Sequence, residues 1–327
     1  MIRREFLAAG LAPPVTAQLT DSARSHLLEL PAPGRRDAVI DTDTYNEIDD
    51  QYAVAYALLS PQRLNVQAVY AAPFRNERSR SAGDGMEKSY EELRRILKFL
   101  KLPADGFAFR GSSRFLAAAN QPVDSPAARD LIAKALQPRT SPLYVLTLGC
   151  PANVSSALLL EPKIKENLVV VWLGGTTHEW PSAREFNLQQ DLWASQVLFD
   201  SGVALVQIPT KNVSEHLRTT IPEMERWMKG RSALGDYLFR QFVEYHQFEA
   251  GKNGPRYPWS KVIWDISVIA WMLEPKWVPS QLVPSPVLTA DFRWRAEPGR
   301  HSIRVATDCR RDPIFFDLFE KLAGTAP

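Results

Sequence analysis

Two periods alternate along the chain. Short, nearly continuous apolar runs of strand length occur at Ala38–Ile40, Leu64–Ala71, Phe107–Phe109, Leu143–Leu148, Leu168–Leu173, Ala204–Ile208 and Ser302–Ala306. Between them lie stretches with apolar residues at helical spacing: Tyr52–Leu59, Glu87–Leu100, Ala127–Leu136, a segment beginning near Ala152, and Leu192–Phe199. This order predicts βαβ units, hence an α/β fold with a mostly parallel central sheet and flanking helices. Leu168–Leu173 is the most continuous run and predicts a central strand buried on both faces. Beyond Ile208 the pattern is mainly helical, over Pro222–Lys229, Ala233–Phe248, Trp264–Leu273 and Pro313–Leu322, with Gly251–Ser260 as a surface loop. No repeat, linker or low-complexity block interrupts residues 36–327, which read as a single domain.

Composition refines this only at the margins. A chain of 327 residues, 45% hydrophobic and 23% charged, can bury the core of a large soluble α/β enzyme. The formal net charge is +2 and basic residues cluster only locally, as in Arg35-Arg36 and Arg310-Arg311, which argues against nucleic acid as a partner. Two cysteines, Cys150 and Cys309, exclude a disulfide framework or a Cys-based zinc site and read as buried apolar residues. No apolar run approaches the ~20 residues that span a bilayer. Arg3-Arg4-Glu5-Phe6-Leu7, followed by Ala8–Leu11 and a small-residue Val15-Thr16-Ala17, resembles a twin-arginine export signal, although Pro13-Pro14 breaks its apolar core. Residues 1–35 are thus set apart either as a signal for an exported, periplasmic protein, the reading favoured here, or as a cytoplasmic tail.

The densest chemistry lies at Asp41–Asp50, where five acidic side chains occupy ten residues at a strand-to-helix turn. Such crowding is relieved by a hard cation with oxygen ligands, Ca²⁺ or Mg²⁺. In an extended chain Asp41 and Asp43 share one side while Thr42 faces away. Asp49 and Asp50 sit at a helix start, where the helix dipole favours carboxylates. The C-terminal edge of a parallel sheet is also where α/β proteins place ligands. These features predict a metal site at that edge.

Two enzyme families use such a turn. Val39-Ile40-Asp41-Thr42-Asp43-Thr44 partly resembles the haloacid-dehalogenase-like phosphatases, which would make Asp41 a nucleophile and Mg²⁺ the cofactor. That reading needs a later strand ending in an acidic pair; Gly83-Asp84 follows no such strand, and Asp49-Asp50 would have no role. More of the chain resembles the inosine/uridine-preferring nucleoside hydrolases. Their Asp-x-Asp-x-x-x-Asp-Asp hallmark is matched by Asp41-Thr42-Asp43 and Asp49-Asp50, with about two extra residues between. Leu148-Gly149-Cys150-Pro151-Ala152-Asn153, Trp172-Leu173-Gly174-Gly175 with Glu185-Phe186-Asn187 and Asp191, and Trp264-Asp265 follow in the family's order.

That resemblance implies a Ca²⁺-dependent enzyme that cleaves the N-glycosidic bond of ribonucleosides. The implied metal ligands are Asp43, Asp50, Asp265 and the Leu148 carbonyl, with Asp43 also the general base. Asp49, Asn76, Glu185 and Asn187 are implied to bind ribose, and Asp41 to orient the loop from behind. It also implies a homo-oligomer, a dimer or tetramer. Such chemistry passes through an oxocarbenium-like sugar and needs an activated water, nearby anions and help for the departing base.

Two departures bear on substrate. Where many members carry His before the last Asp, this chain has Trp264, as in a purine-selective subset; an indole face can stack on a purine. It can equally begin a buried helix. The segment Thr176–Pro181 lacks the Asn that often contacts the ribose 5′ end, leaving His178 as a ligand contact or a loop residue. Tyr245, Tyr257, Trp259 and Trp264 either line a base pocket or pack the helical end. Asn153 reads as a turn or helix-start residue, and His216 and His246 as structural. A nucleoside- or ribose-binding protein without turnover is the alternative outside catalysis.

Overall fold

In the computed structural model, which describes residues 19–253 and 259–324, the apolar runs become one eight-stranded sheet. In chain order the strands are β1 (Arg36–Thr42), β2 (Leu64–Ala71), β3 (Ala108–Arg110), β4 (Leu143–Thr147), β5 (Leu168–Leu173), β6 (Ala204–Ile208), β7 (Arg218–Thr219), β8 (Lys261–Val262), β9 (Ser280–Pro284), β10 (Val287–Leu288), β11 (Trp294–Arg295) and β12 (Ser302–Ala306). The sheet order is β3-β2-β1-β4-β5-β6-β12-β9, parallel throughout except for β9 at its edge. β7–β8 and β10–β11 form separate two-stranded ribbons. The helices are α1 (Asp21–Leu27), α2 (Asp49–Leu58), α3 (Ala82–Phe99), α4 (Pro126–Ala135), α5 (Ala152–Leu160), α6 (Phe186–Gln190), α7 (Leu192–Asp200), α8 (Ile221–Met228), α9 (Ala233–Asn253), α10 (Ile266–Leu273) and α11 (Arg311–Leu322).

Side-chain alternation divides the core into two layers. Ala38, Ile40, Leu146, Val169 and Val171 pack with residues of α2, α10 and α11 on one face. Val39, Val145, Val170 and Trp172 pack with α4, α5 and α7 on the other. Every residue of β5 is buried, as its unbroken apolar run predicts; each such side chain contributes roughly 1.5–3 kcal/mol on burial.

The register brings the strand ends level. Asp41 pairs with Thr147, Thr147 with Trp172, and Leu173 with Ile208. The loops after β1, β4, β5 and β6 therefore open side by side at the C-terminal edge of the sheet.

Several elements differ from the pattern reading. α3 begins five residues before Glu87, capped by Ser81 accepting from Asp84 N at 3.1 Å. Gly83 and Gly85 hid this turn, yet Gly85 is a packing residue: a Cβ there would lie 2.1 Å from the Phe74 carbonyl oxygen. β9, short and half-exposed among prolines, carries no strand signal in the sequence. α9 runs to Asn253, into the expected loop, and α10 starts at Ile266, leaving Trp264-Asp265 as the turn before it. The segment from Leu19, grouped with the tail, packs on the domain. Leu28 is fully buried, Arg24 Nε donates to the Gly202 carbonyl at 2.8 Å, and Arg304 Nε donates to the Leu28 carbonyl at 2.8 Å. Arg3–Leu7 and Tyr257 lie outside the described residues.

Candidate active site

β1 ends at Thr42, and its alternation assigns the first acidic residues. Asp41 faces the α5 layer with Val39. Its Oδ1 accepts from Asn153 Nδ2 at 2.8 Å, and burial pushes its carboxyl up to about 7. Thr42 faces the α2 layer with Ile40, and its hydroxyl donates to Asp50 Oδ1. This reverses the expectation that Thr42 faces away from the site and that Asp41 and Asp43 share a side: the extended chain stops before Asp43. Asp43 turns into the loop cluster against Gly149, where an added Cβ would lie 2.8 Å from its Cγ and Oδ1. Asn153 is more than a helix-start residue. Besides Asp41 it bonds the Ala71 carbonyl at 3.2 Å and accepts from Ser112 N at 2.7 Å, tying three strand ends together.

Asp49 and Asp50 open α2, whose N-terminus has no side-chain cap, so they stand at the positive end of its dipole. α10 packs beside α2 and carries Asp265 at its start. Carboxylate oxygens of Asp49, Asp50 and Asp265 lie within 4.8 Å of one another, the candidate metal cluster among the described residues. Asp43 adjoins them. Burial, then the Asp50 and Asp49 charges, push Asp43 well above the usual carboxylate range. Burial, then Asp50, Asp49 and Asp43, do the same to Asp265. Asp50 is pushed up to about 7 by burial and by Asp49. Asp43 Oδ2 and Asp265 Oδ1 are buried with no hydrogen-bond partner among the described residues. Buried polar atoms are seldom left so. A hard cation would satisfy these oxygens and stabilise the ionised carboxylates, so the donor set fits one.

These residues line a pocket of about 280 Å³, close to the lower end of small-molecule sites. Leu148, Glu185, Asn187 and Trp264 line it too. Asn187 Nδ2 donates to the Leu148 carbonyl at 2.6 Å and to the Leu173 carbonyl at 3.0 Å. Glu185 caps α6, accepting from Asn187 N at 3.0 Å and Gly175 N at 2.9 Å, and burial pushes it up to about 7. Trp264 is half-buried, lines the pocket and also packs against the core, and its backbone N–H donates to Asp49 Oδ2 at 3.2 Å in the turn before α10.

Asn76 is not among the pocket-lining residues. Its amide donates to Asn46 Oδ1 at 2.6 Å, and Asn46 lines the pocket instead. Glu47 also lines the pocket and forms an ion pair with Lys261, whose side chain is 11% exposed. Burial opposes the Lys261 charge, but Asp49 and Glu47 outweigh it and hold this ammonium firmly protonated. Thr176, Trp180, Arg184, Thr210 and Lys211 complete the wall; none was singled out by motif, although Arg184 precedes a motif residue. His178 bonds Gln207 Oε1 at 2.9 Å and stacks near Trp294, outside the pocket. Trp259 packs on Phe242 and His246, while Tyr245 lies near Lys261. Asp84 pairs with Arg80 and Lys88 on α3, which leaves the phosphatase reading without its second acidic strand end.

A parallel sheet with its carboxylates gathered at the C-terminal strand edge defines an α/β ligand-binding site. A profile of the family described as inosine-uridine preferring nucleoside hydrolase matches residues 38–315. The chain therefore belongs to that family, hydrolases acting on N-glycosyl bonds. It is 28% identical over 268 residues to the pyrimidine-specific ribonucleoside hydrolase RihA of Salmonella paratyphi A, covering 73% of this chain and 79% of the relative. It is 27% identical to the RihA of Escherichia coli O9:H4 over 258 residues, covering 70% and 77%. A purine-preferring ribonucleoside hydrolase from Gardnerella vaginalis shares the fold with a TM-score of 0.67 at 17% identity, over 89% of this chain and 99% of that one. The plant nucleoside hydrolase PpNRh1 aligns with a TM-score of 0.66 at 19% identity, over 90% and 100%.

Proposed function

We propose that this nucleoside hydrolase is Ca²⁺-dependent and favours purine ribonucleosides, releasing free base and ribose. The observation that carries the reading is the group of buried, partly unpartnered carboxylates facing a pocket that Trp264 walls. Asp43, Asp50, Asp265 and the Leu148 carbonyl would hold the cation. Asp49, although its oxygen lies within 4.8 Å of those of Asp50 and Asp265, is assigned to the sugar by the family resemblance, and Trp264 N and the Lys261 charge engage it. A cation held there would lower the pKa of a bound water and would favour binding of sugar hydroxyls.

The chain's own residues do the rest. Asp43 takes the proton of the water that attacks C1′ as the bond to the base nitrogen breaks; the base leaves with the bonding pair and takes up a proton from solvent. The crowded carboxylates offset positive charge on the sugar as it develops. Asp49, Glu185, Asn187 and, in place of Asn76, Asn46 are within the pocket to bond ribose hydroxyls. Asp41 and Asn153 brace the turn from behind. Trp264 offers its face to the base. RihA is named for pyrimidines, so the purine preference rests on this residue alone.

A panel of purine and pyrimidine nucleosides tests the reading, with p-nitrophenyl phosphate in parallel for the Asp41 phosphatase alternative. Trp264→Ala should lower kcat/KM on purines about 3- to 10-fold more than on pyrimidines, the range expected of one stacked ring. Equal loss on both, with a lower Tm, contradicts the stacking role. Nucleoside binding without any base release supports the binding-protein alternative. Export through Arg3-Arg4 and assembly into a dimer or tetramer are separate proposals. Fractionation of Arg3→Lys/Arg4→Lys cells and light scattering against the 36.8 kDa chain test them.

A further inference from the structure

The pocket is electrically lopsided. Of the acidic lining residues, Asp43 follows β1 and Glu47, Asp49, Asp50 and Asp265 gather beside it, whereas Glu185 alone adjoins the two cationic lining residues, which stand elsewhere. Lys211 follows β6, which lies beyond β4 and β5 in the sheet order. Three strand spacings of about 4.8 Å put the ends of β1 and β6 roughly 14 Å apart. Arg184 and Lys211 both line the pocket, and their chain neighbours meet at Gly175, which marks one corner of it. Glu185, next to Arg184, accepts from Gly175 N at 2.9 Å, and Thr210, next to Lys211, donates its N–H and hydroxyl to the Gly175 carbonyl at 3.0 Å each.

The charges at this corner are available. Arg184 is exposed, has no carboxylate partner among the described residues, and lies with its guanidinium carbon 4.2 Å from the Phe292 ring centre. Lys211 pairs with Glu215 at 3.4 Å, a contact in which its side chain stays 43% exposed, and Glu215 also accepts from Asn212 N at 2.7 Å. A sugar hydroxyl needs one donor or acceptor, not two cations. A phosphate carries about two negative charges and three acceptor oxygens, and a guanidinium fork matches either a phosphate or a carboxylate.

We infer that the Arg184–Lys211 corner receives an anionic group on the 5′ carbon of the riboside, a phosphate or a carboxylate. The inference rests on the proposed function for its orientation: the diol faces the carboxylates and the base faces Trp264, so the substituent on C4′ extends toward β6. Ribonucleosides that carry such a group then bind more tightly than the neutral ones, and their hydrolysis leaves the charged sugar in place of ribose.

Titration calorimetry in Ca²⁺ buffer compares ribose, ribose 5-phosphate and riburonate, the 5-carboxylate, on the full chain and on Arg184→Ala and Lys211→Ala. At least one anion should bind the wild type ten-fold or more tighter than ribose, with that ratio falling below about three-fold in each variant. Which anion gains identifies the group. Equal binding of all three ligands by the wild type, or a preference that survives both substitutions, overturns the inference. Binding needs no turnover, so absence of base release alongside an intact anion preference would contradict the proposed hydrolysis and not this corner.

Discussion

At Gly149 there is no room for a side chain, because an added Cβ would lie 2.8 Å from Asp43 Cγ and Oδ1. Gly149→Ala should displace the Asp43 carboxylate and lower kcat at least ten-fold while changing Tm by only a few degrees. Retained kcat would show that Asp43 is free to shift. Glu185 gives a second prediction. Burial raises its carboxyl from 4.5 to about 7, so between those values the native state holds more proton than the unfolded chain. Its contribution to stability is full below the lower value and lost as pH rises through the higher one. In chelated protein, Glu185→Gln should flatten the fall of Tm across this window; an unchanged slope would show that Glu185 is not titrating there. The motif residues were legible in the sequence because carboxylates and glycines at such density have few structural uses. The roles of Asn153, itself a motif residue, and of Lys261 were not, since an interior amide or ammonium shows its value only through partners far along the chain.

The loop Thr44–Glu47 behaves as an element, though it contains no regular structure. Arg78 Nη1 donates to the Glu47 carbonyl at 2.8 Å, Asn76 holds Asn46, and Tyr45 N donates to Ser89 Oγ at 3.3 Å. Lys261 closes it from β8 through Glu47. Lys261→Met should cost about 2 kcal/mol in urea unfolding, below the 3–5 of a fully buried pair because the Glu47 side chain is 35% exposed. It should also raise KM, as Asn46 and Glu47 loosen at the pocket wall. Unchanged stability and KM would mean that the loop holds its shape without the ion pair. Helices and strands with one clean period were readable beforehand, β2, β5, β6 and β12 to the residue. The loop was not: its order comes from side-chain bonds to α3 and β8, which no local pattern encodes. The start of α3 and the edge strand β9 were hidden for a related reason, since close packing at Gly85 and pairing with β12 replace local propensity there.

Across the whole molecule the parallel sheet does one thing for chemistry: its level register collects the ends of β1, β4, β5 and β6 at one rim. Asp43 and Asp265 meet there although the chain between them builds most of the core. The fold class followed from alternating periods and the acidic half of the site from its motifs. The cationic half did not, because Arg184 and Lys211 look like ordinary surface charges until the rim assembles them. The central claim is that the carboxylate cluster hydrolyses ribosides by holding a cation. The most direct measurement is free-base release from inosine by the full chain, assayed with Ca²⁺, after chelation, and after Ca²⁺ is restored, with Asp265→Asn in parallel. We predict release with Ca²⁺, loss on chelation, recovery on restoration, and at least a hundred-fold lower rate in the variant with weaker Ca²⁺ binding. Base release that ignores the chelator and survives in Asp265→Asn would contradict the account.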